Sequence, residues 1–174
     1  MMDPRYRDIK KAQIPEIRLE NGVIAKIICG EINGTKGPVQ DIVIEPEYID
    51  LTVPPGTQFK HKIKEGHTSF AYIIDGHGYF DLGRDSYAYE MGGVNYFDFE
   101  RECLTGKENL VIFEDGEEII INTEEESLRF LLISGKPIRE PVAWYGPIVM
   151  NTQEELRIAF EEYRNGNFIK KKLI

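Results

Sequence analysis

The sequence predicts a mainly β protein, an antiparallel double-stranded barrel of jelly-roll type followed by one C-terminal α-helix. Three observations predict it. Short β-branched or alternating runs recur along the chain, separated by Gly, Pro and Asn, which is the signature of a sandwich or barrel. A helical period shows clearly in one segment, near the C-terminus. The 174 residues, 41% hydrophobic and 29% charged, suit one domain of ordinary size whose core needs no staple.

Taken in order, residues 1–13 are polar and read as a flexible N-terminal segment, and residues 14–134 as the barrel. Val23 to Cys29 is β-branched and closes at Gly30. A loop with Gly34, Gly37 and Pro38 follows, and Val39 to Ile44 reads as a second run. Tyr48 to Val53 alternates and stops at Pro54-Pro55-Gly56. Thr57 to Ile63 and Phe70 to Ile74 are further strands, the latter ending at Asp75-Gly76, and Tyr79-Phe80 resumes after it. Leu110 to Phe113 and Glu118 to Asn122 flank Asp115-Gly116, a tight-turn signal. Leu128 to Ser134 is the last apolar strand.

Residues 135–174 form an arm and helix expected to pack on the barrel. Pro137, Pro141 and Pro147 keep the arm extended. Thr152 and Glu155 make a capping box, each satisfying a free N–H of the first turn. Leu156, Ala159, Phe160 and Tyr163 form an apolar stripe at helical spacing. Asn165-Gly166 tolerates positive φ and ends the helix.

This arm carries a resemblance. The run Gly135-Lys136-Pro137-Ile138, then Glu140-Pro141-Val142, Tyr145-Gly146-Pro147, Val149-Met150-Asn151-Thr152, Glu154-Glu155, Tyr163, Gly166 and Phe168 resembles the carboxy-terminal signature of pirins. Pirins are bicupins, two facing β-barrel domains of which the amino-terminal one holds iron through three His and a Glu. The resemblance implies a cupin-type double-stranded barrel and covers 108–169 and 14–80, including Gly30-Glu31 and Pro54-Pro55-Gly56. It places the chain in the carboxy-terminal half, so no family iron ligand transfers to a residue here. Residues 81–107 read as an insertion, with Gly92-Gly93 as a bend that would lay it across the barrel mouth as a lid.

Cupin metal sites in general take two His two residues apart, a Glu shortly after and a last His from the second half, a set suited to iron or manganese. Counting between Gly56 and Gly76 puts Lys62-Ile63-Lys64-Glu65 at the paired-His positions and Ser69 at the Glu position, and Glu117 to Phe130 contains no His. No metal cofactor is therefore expected. The alternative is an unusual set of His61, Glu65 and His67, a 2-His-1-carboxylate group that could hold iron or another divalent transition metal if the loop folded back. Isolated surface or hydrogen-bonding histidines are the plainer account of all three His, His77 included. Tyr72, Tyr96, Phe97, Trp144 and Tyr145 are the candidates for a small-molecule pocket or an interface, since large rings serve either purpose.

A net charge of −9 argues against nucleic acid, which needs clustered Lys and Arg. Cys29 and Cys103 have no motif spacing and read as reduced cytosolic thiols. No apolar h-region opens the chain, and no run approaches the roughly 20 apolar residues of a membrane span. A soluble cytoplasmic protein is expected. The motifs of hydrolases, P-loop proteins and dinucleotide binders are missing. The reading is a pirin-related cupin without the iron-binding half, a non-catalytic binding or interaction module. The apolar surface that a lone cupin exposes would be covered in a homodimer or by a separate cupin chain. The alternative is a small metal-dependent cupin enzyme, an oxygenase of quercetinase type or an isomerase.

Overall fold

A computed structural model describes residues 6–80 and 104–170. The chain divides into two compact units, one up to Pro137 and the other from Ile138. Most of the expected insertion, 81–103, lies outside the described residues, and Tyr96, Phe97 and Cys103 with it. No helix among the described residues is long and apolar enough to cross a membrane.

The first unit is a β-sandwich of the cupin type. Its strands are β1 (Glu16–Arg18), β2 (Ile24–Cys29), β3 (Glu31–Ile32), β4 (Thr35–Lys36), β5 (Glu47–Val53), β6 (Gln58–Lys62), β7 (Thr68–Gly78), β8 (Thr105–Gly106), β9 (Leu110–Ile112), β10 (Glu118–Asn122) and β11 (Leu128–Gly135). The large sheet runs β1-β2-β5-β11-β7-β8, with β9 also on β7, while β6 pairs with β10. Adjacent long strands are antiparallel. Strict alternation decides the faces. Ala25 and Ile27 of β2, Ile49, Leu51 and Val53 of β5, and Leu128, Phe130 and Leu132 of β11 are all fully buried. They pack against Phe59 of β6 and Ile119 and Ile121 of β10 in one apolar core. Phe130 meets the rings of Phe59 and Phe80 at 6.5 and 5.9 Å.

Three local readings change. The run Val39–Ile44 is not a strand: only Val39 bridges to Cys29, and Asp41 and Glu45 sit at φ +60° and +46°, which no strand tolerates. β7 does not stop at Asp75-Gly76 but continues to Gly78: an irregularity at Ile74 sets Asp75 opposite Arg129 and Ile73 opposite Phe130, and Gly76, at φ +73°, stays paired opposite Leu128. The strands flanking Asp115-Gly116 do not pair with each other: β9 joins β7 and β10 joins β6, so the chain crosses between the sheets there.

The second unit contains β12 (Ala143–Tyr145), β13 (Ile148–Met150) and α1 (Gln153–Arg164). The two strands form a hairpin about Gly146-Pro147. Thr152 caps α1 as expected: its hydroxyl accepts from the N–H of Glu155, whose carboxylate accepts from the N–H of Thr152. Leu156 and Ala159 bury against Ala143 and Ile148, whereas Tyr163 at the same phase stays exposed. Gly166 at φ +73° ends the helix.

Two glycines give a contrasting test of this architecture. A Cβ at Gly76 would lie 1.9 Å from the Ser127 carbonyl oxygen, whereas one at Gly116 meets nothing. Gly76→Ala should lower unfolding free energy by about 3 kcal/mol and Gly116→Ala by a few tenths at most, measured by urea denaturation.

Candidate functional site

Three inward-facing strand positions hold polar side chains where apolar ones would otherwise stand. Glu47 opens β5 in phase with Ile49, Leu51 and Val53. Ser134 is the last inward-facing residue of β11, in phase with Phe130 and Leu132, and is paired opposite Glu47. His61 follows Phe59 on the same face of β6, half-buried in the residue as a whole. Their side chains converge. The Ser134 hydroxyl donates to Glu47 Oε2 at 3.0 Å, and His61 Nε2 donates to the same oxygen at 3.2 Å. The His61 and Glu47 side chains are each 10% exposed. The Phe59 ring lies nearly parallel to the imidazole, 9° apart with centroids 6.2 Å apart.

Electrostatics fix the protonation pattern. Burial pushes the Glu47 carboxyl up, but the hydrogen bond and charge of His61 and the Ser134 hydroxyl outweigh it and hold the group below its ordinary value. An ionised carboxylate only accepts, so the proton of this pair sits on Nε2 of His61. Gly30 makes the approach possible. It stands at φ +97°, and a Cβ there would come within 3.0 Å of Glu47 Cγ. Next to it, Cys29 is buried, with its thiol against the carbonyls of Val39 and Pro46, both at 3.1 Å. Burial pushes that thiol up, so it stays protonated and weakly reactive at neutral pH.

A cavity of about 770 Å³ is lined by Glu47, His61, Phe59, Gly30 and Cys29, by Leu19, Ile32 and Ile42, and by both acids and lysines of the neighbouring strands and loops; Ser134 lies behind Glu47 and does not line it. Its size lies within the range of small-molecule sites. Of the residues singled out from sequence, the structure brings His61 to this cavity. Glu65 is exposed in the loop before β7, and neither it nor His67 lines the cavity. His67 is buried with Nδ1 unpartnered. His77 Nδ1 lies 3.3 Å from Glu126 Oε2. Tyr72 faces outward on the large sheet, 40% exposed. In the second unit, Trp144 donates to the Gly146 carbonyl and Tyr145 meets Phe160 edge-on at 5.3 Å, both rings being largely exposed.

Glu47 and Ser134 escape a reading by motif. The signal that finds them is the strand period: extended one residue back, the alternation of Tyr48–Val53 puts a carboxylate on the core face. The donor set does not fit a mid-row divalent ion. Among the described residues no three His, Cys, Asp or Glu side chains converge, and Nε2 of His61 is committed to Glu47.

Comparisons with known proteins follow this geometry. The family described as the pirin C-terminal cupin domain matches residues 48–169. The chain is similar to Pirin-1 of Arabidopsis thaliana, 36% identical over 95% of this chain and 52% of that protein. It is similar to human pirin, 32% identical over 95% of this chain and 51% of that protein. Among solved structures, quercetin 2,3-dioxygenase from Acinetobacter baumannii superposes with a TM-score of 0.73 at 25% identity, over 94% of this chain and 50% of that one. The chain thus spans about half the length of the relatives it matches.

Because the folded state depresses the Glu47 pKa, the pair stabilises the fold above the ordinary carboxylate range, and that contribution is lost as pH falls through the lowered value. Glu47→Ala leaves His61 and Ser134 without their acceptor and should cost about 3 kcal/mol at pH 7. The gap from wild type should close as the pH is lowered below the carboxylate range, in denaturation curves collected from pH 7 to pH 3.

Proposed function

The chain belongs to the pirin family, and from that premise we propose that it is a non-catalytic cupin module that works by association and carries no metal of its own. The observation that supports this reading is the outer face of the large sheet. Two rows of side chains cross it in register. One is Tyr48, Ile133, Phe70 and Ile112; the other is Asp50, Leu131, Tyr72 and Leu110. Leu110 and Ile112 are 54% and 70% exposed. A solvent-facing antiparallel sheet ordinarily alternates to polar residues on that side. Here seven of the eight positions are apolar or aromatic, the pattern of an interface.

The occupant we propose is a second copy, related by a twofold axis. A chain of net charge −9 repels itself over most of its surface. In these two rows the one carboxylate, Asp50, is tied to Arg129 at 2.8 and 3.0 Å, so like charge does not oppose contact there. A separate cupin chain seated on the same face is the other outcome, and it would replace the homodimer.

Light scattering after size exclusion at micromolar concentration should give twice the chain mass of 20.1 kDa, and Ile112→Glu with Tyr72→Glu should return the protein to a monomer with unchanged circular dichroism. A monomeric wild type with no cupin partner contradicts the association. The second reading, metal-dependent oxygenase activity of the kind named for the Acinetobacter structure, predicts stoichiometric transition metal in protein purified without a His tag. Our reading predicts none after iron supplementation.

A further inference from the structure

The hairpin of the second unit is a strand layer with two apolar faces. Ala143, Ile148 and Met150 turn toward α1, where they pack with Leu156 and Ala159. The alternate positions turn away from it. Val142, Trp144 and Val149 are 75%, 71% and 58% exposed, and Trp144 stands directly opposite Val149. An antiparallel layer that meets water on one side ordinarily carries polar residues there, so this face calls for a further layer. Nor can the unit stand on its own core. Residues 138–174 contain no cysteine, their buried apolar residues are Ala143, Ile148, Leu156 and Ala159, and chains below about 40 residues rarely hold a core without staples or association. The indole is ready to be covered: Nε1 already donates to the Gly146 carbonyl at 2.7 Å, so burial would strand no donor.

Charge selects what covers this face. Residues 138–174 hold six Lys and Arg against five Asp and Glu, so the net charge of −9 rests entirely on residues 1–137. Two copies stacked sheet on sheet would press these acidic units together. A hairpin face made of Val142, Trp144 and Val149 brings no charge to the contact. The outer rows of the large sheet match it in kind, since their one carboxylate, Asp50, is held by Arg129. Each copy therefore carries two uncovered layers that suit one another, and a twofold axis lets two copies cover both pairs at once.

Resting on the reading that a second copy covers the outer sheet face, we propose that the part of that copy which does so is its Val142, Trp144 and Val149 face. Two hairpins are thereby exchanged reciprocally across the twofold. Trp144 is the anchor, a large rigid ring of the kind that dominates interface energetics, seated on the rows that contain Leu131, Ile133 and Ile112.

Trp144 is the single tryptophan of the chain, so its signals report this contact alone. At a concentration where light scattering gives a dimer, its fluorescence should shift to the blue and lose its quenching by acrylamide, relative to the Ile112→Glu, Tyr72→Glu variant. In a dimer mixed from isoleucine-methyl-labelled and unlabelled chains, filtered NOEs should join the Ile112 or Ile133 methyls of one copy to the indole of the other. Trp144→Ala should raise the dimer dissociation constant at least about thirtyfold; should that variant fail to fold, Val149→Glu on the same face should weaken the dimer likewise. A wild-type dimer whose Trp144 stays quenchable, or whose isoleucine methyls show no NOE to the indole, overturns the exchange and leaves dimerisation through the sheet standing. Protection of Trp144 that persists in the monomeric variant overturns it as well. A monomeric wild type overturns both readings.

Discussion

β11 is the constraint on which the rest of the first unit depends. It pairs from Leu128 to Ser134 with β5 on one side and along its whole length with β7 on the other, so its pleat is fixed from both sides. A slip of one residue would exchange its two faces. With the register set, Leu128, Phe130 and Leu132 point into the core, and Leu131 and Ile133 point out into the middle of the apolar rows. Ser134, the last inward residue, falls opposite Glu47. One strand thereby determines the core, the polar cluster and the proposed interface together.

The polar cluster and the apolar face are both departures from what stability alone would select. Burying a carboxylate and an imidazole costs desolvation that their mutual attraction offsets only when hydrogen bonds are satisfied. Here Ser134 and His61 satisfy one carboxylate oxygen and leave the other open. Exposing Ile112 and Leu110 forgoes hydrophobic burial of about 1.5–3 kcal/mol per side chain. Such departures concentrate where a protein meets something else, and the two lie on opposite faces of the same sheet. The association we propose uses the outside of the sandwich.

How much of this was legible in the sequence follows from how local each signal is. The helix at 153–164 could be read nearly to the residue, because Thr152, Glu155 and Gly166 are local caps. β2, β5 and β11 were legible from alternation, and the arm from its prolines, which also carried the family resemblance. Pairing is non-local, so Asp115-Gly116 suggested a hairpin although its flanking strands go to different sheets. The run 39–44 has strand-like composition, but the left-handed turns at Asp41 and Glu45 are set by packing of the loop. His61 was visible as a member of the alternative set with Glu65 and His67. Its partner was not, since Glu47 lies just before the run that reads as a strand and 14 residues away in sequence.

The central claim, that the outer face of the large sheet is covered in solution, is tested most directly by methyl relaxation with a soluble paramagnetic chelate. On isoleucine- and leucine-labelled protein at a concentration where self-association is complete, the account predicts that methyls of Leu110, Ile112, Leu131 and Ile133 are protected to the degree of the core methyls of Ile49 and Leu132. Relaxation of Ile112 as strong as that of Ile138, an exposed isoleucine of the second unit, would contradict it.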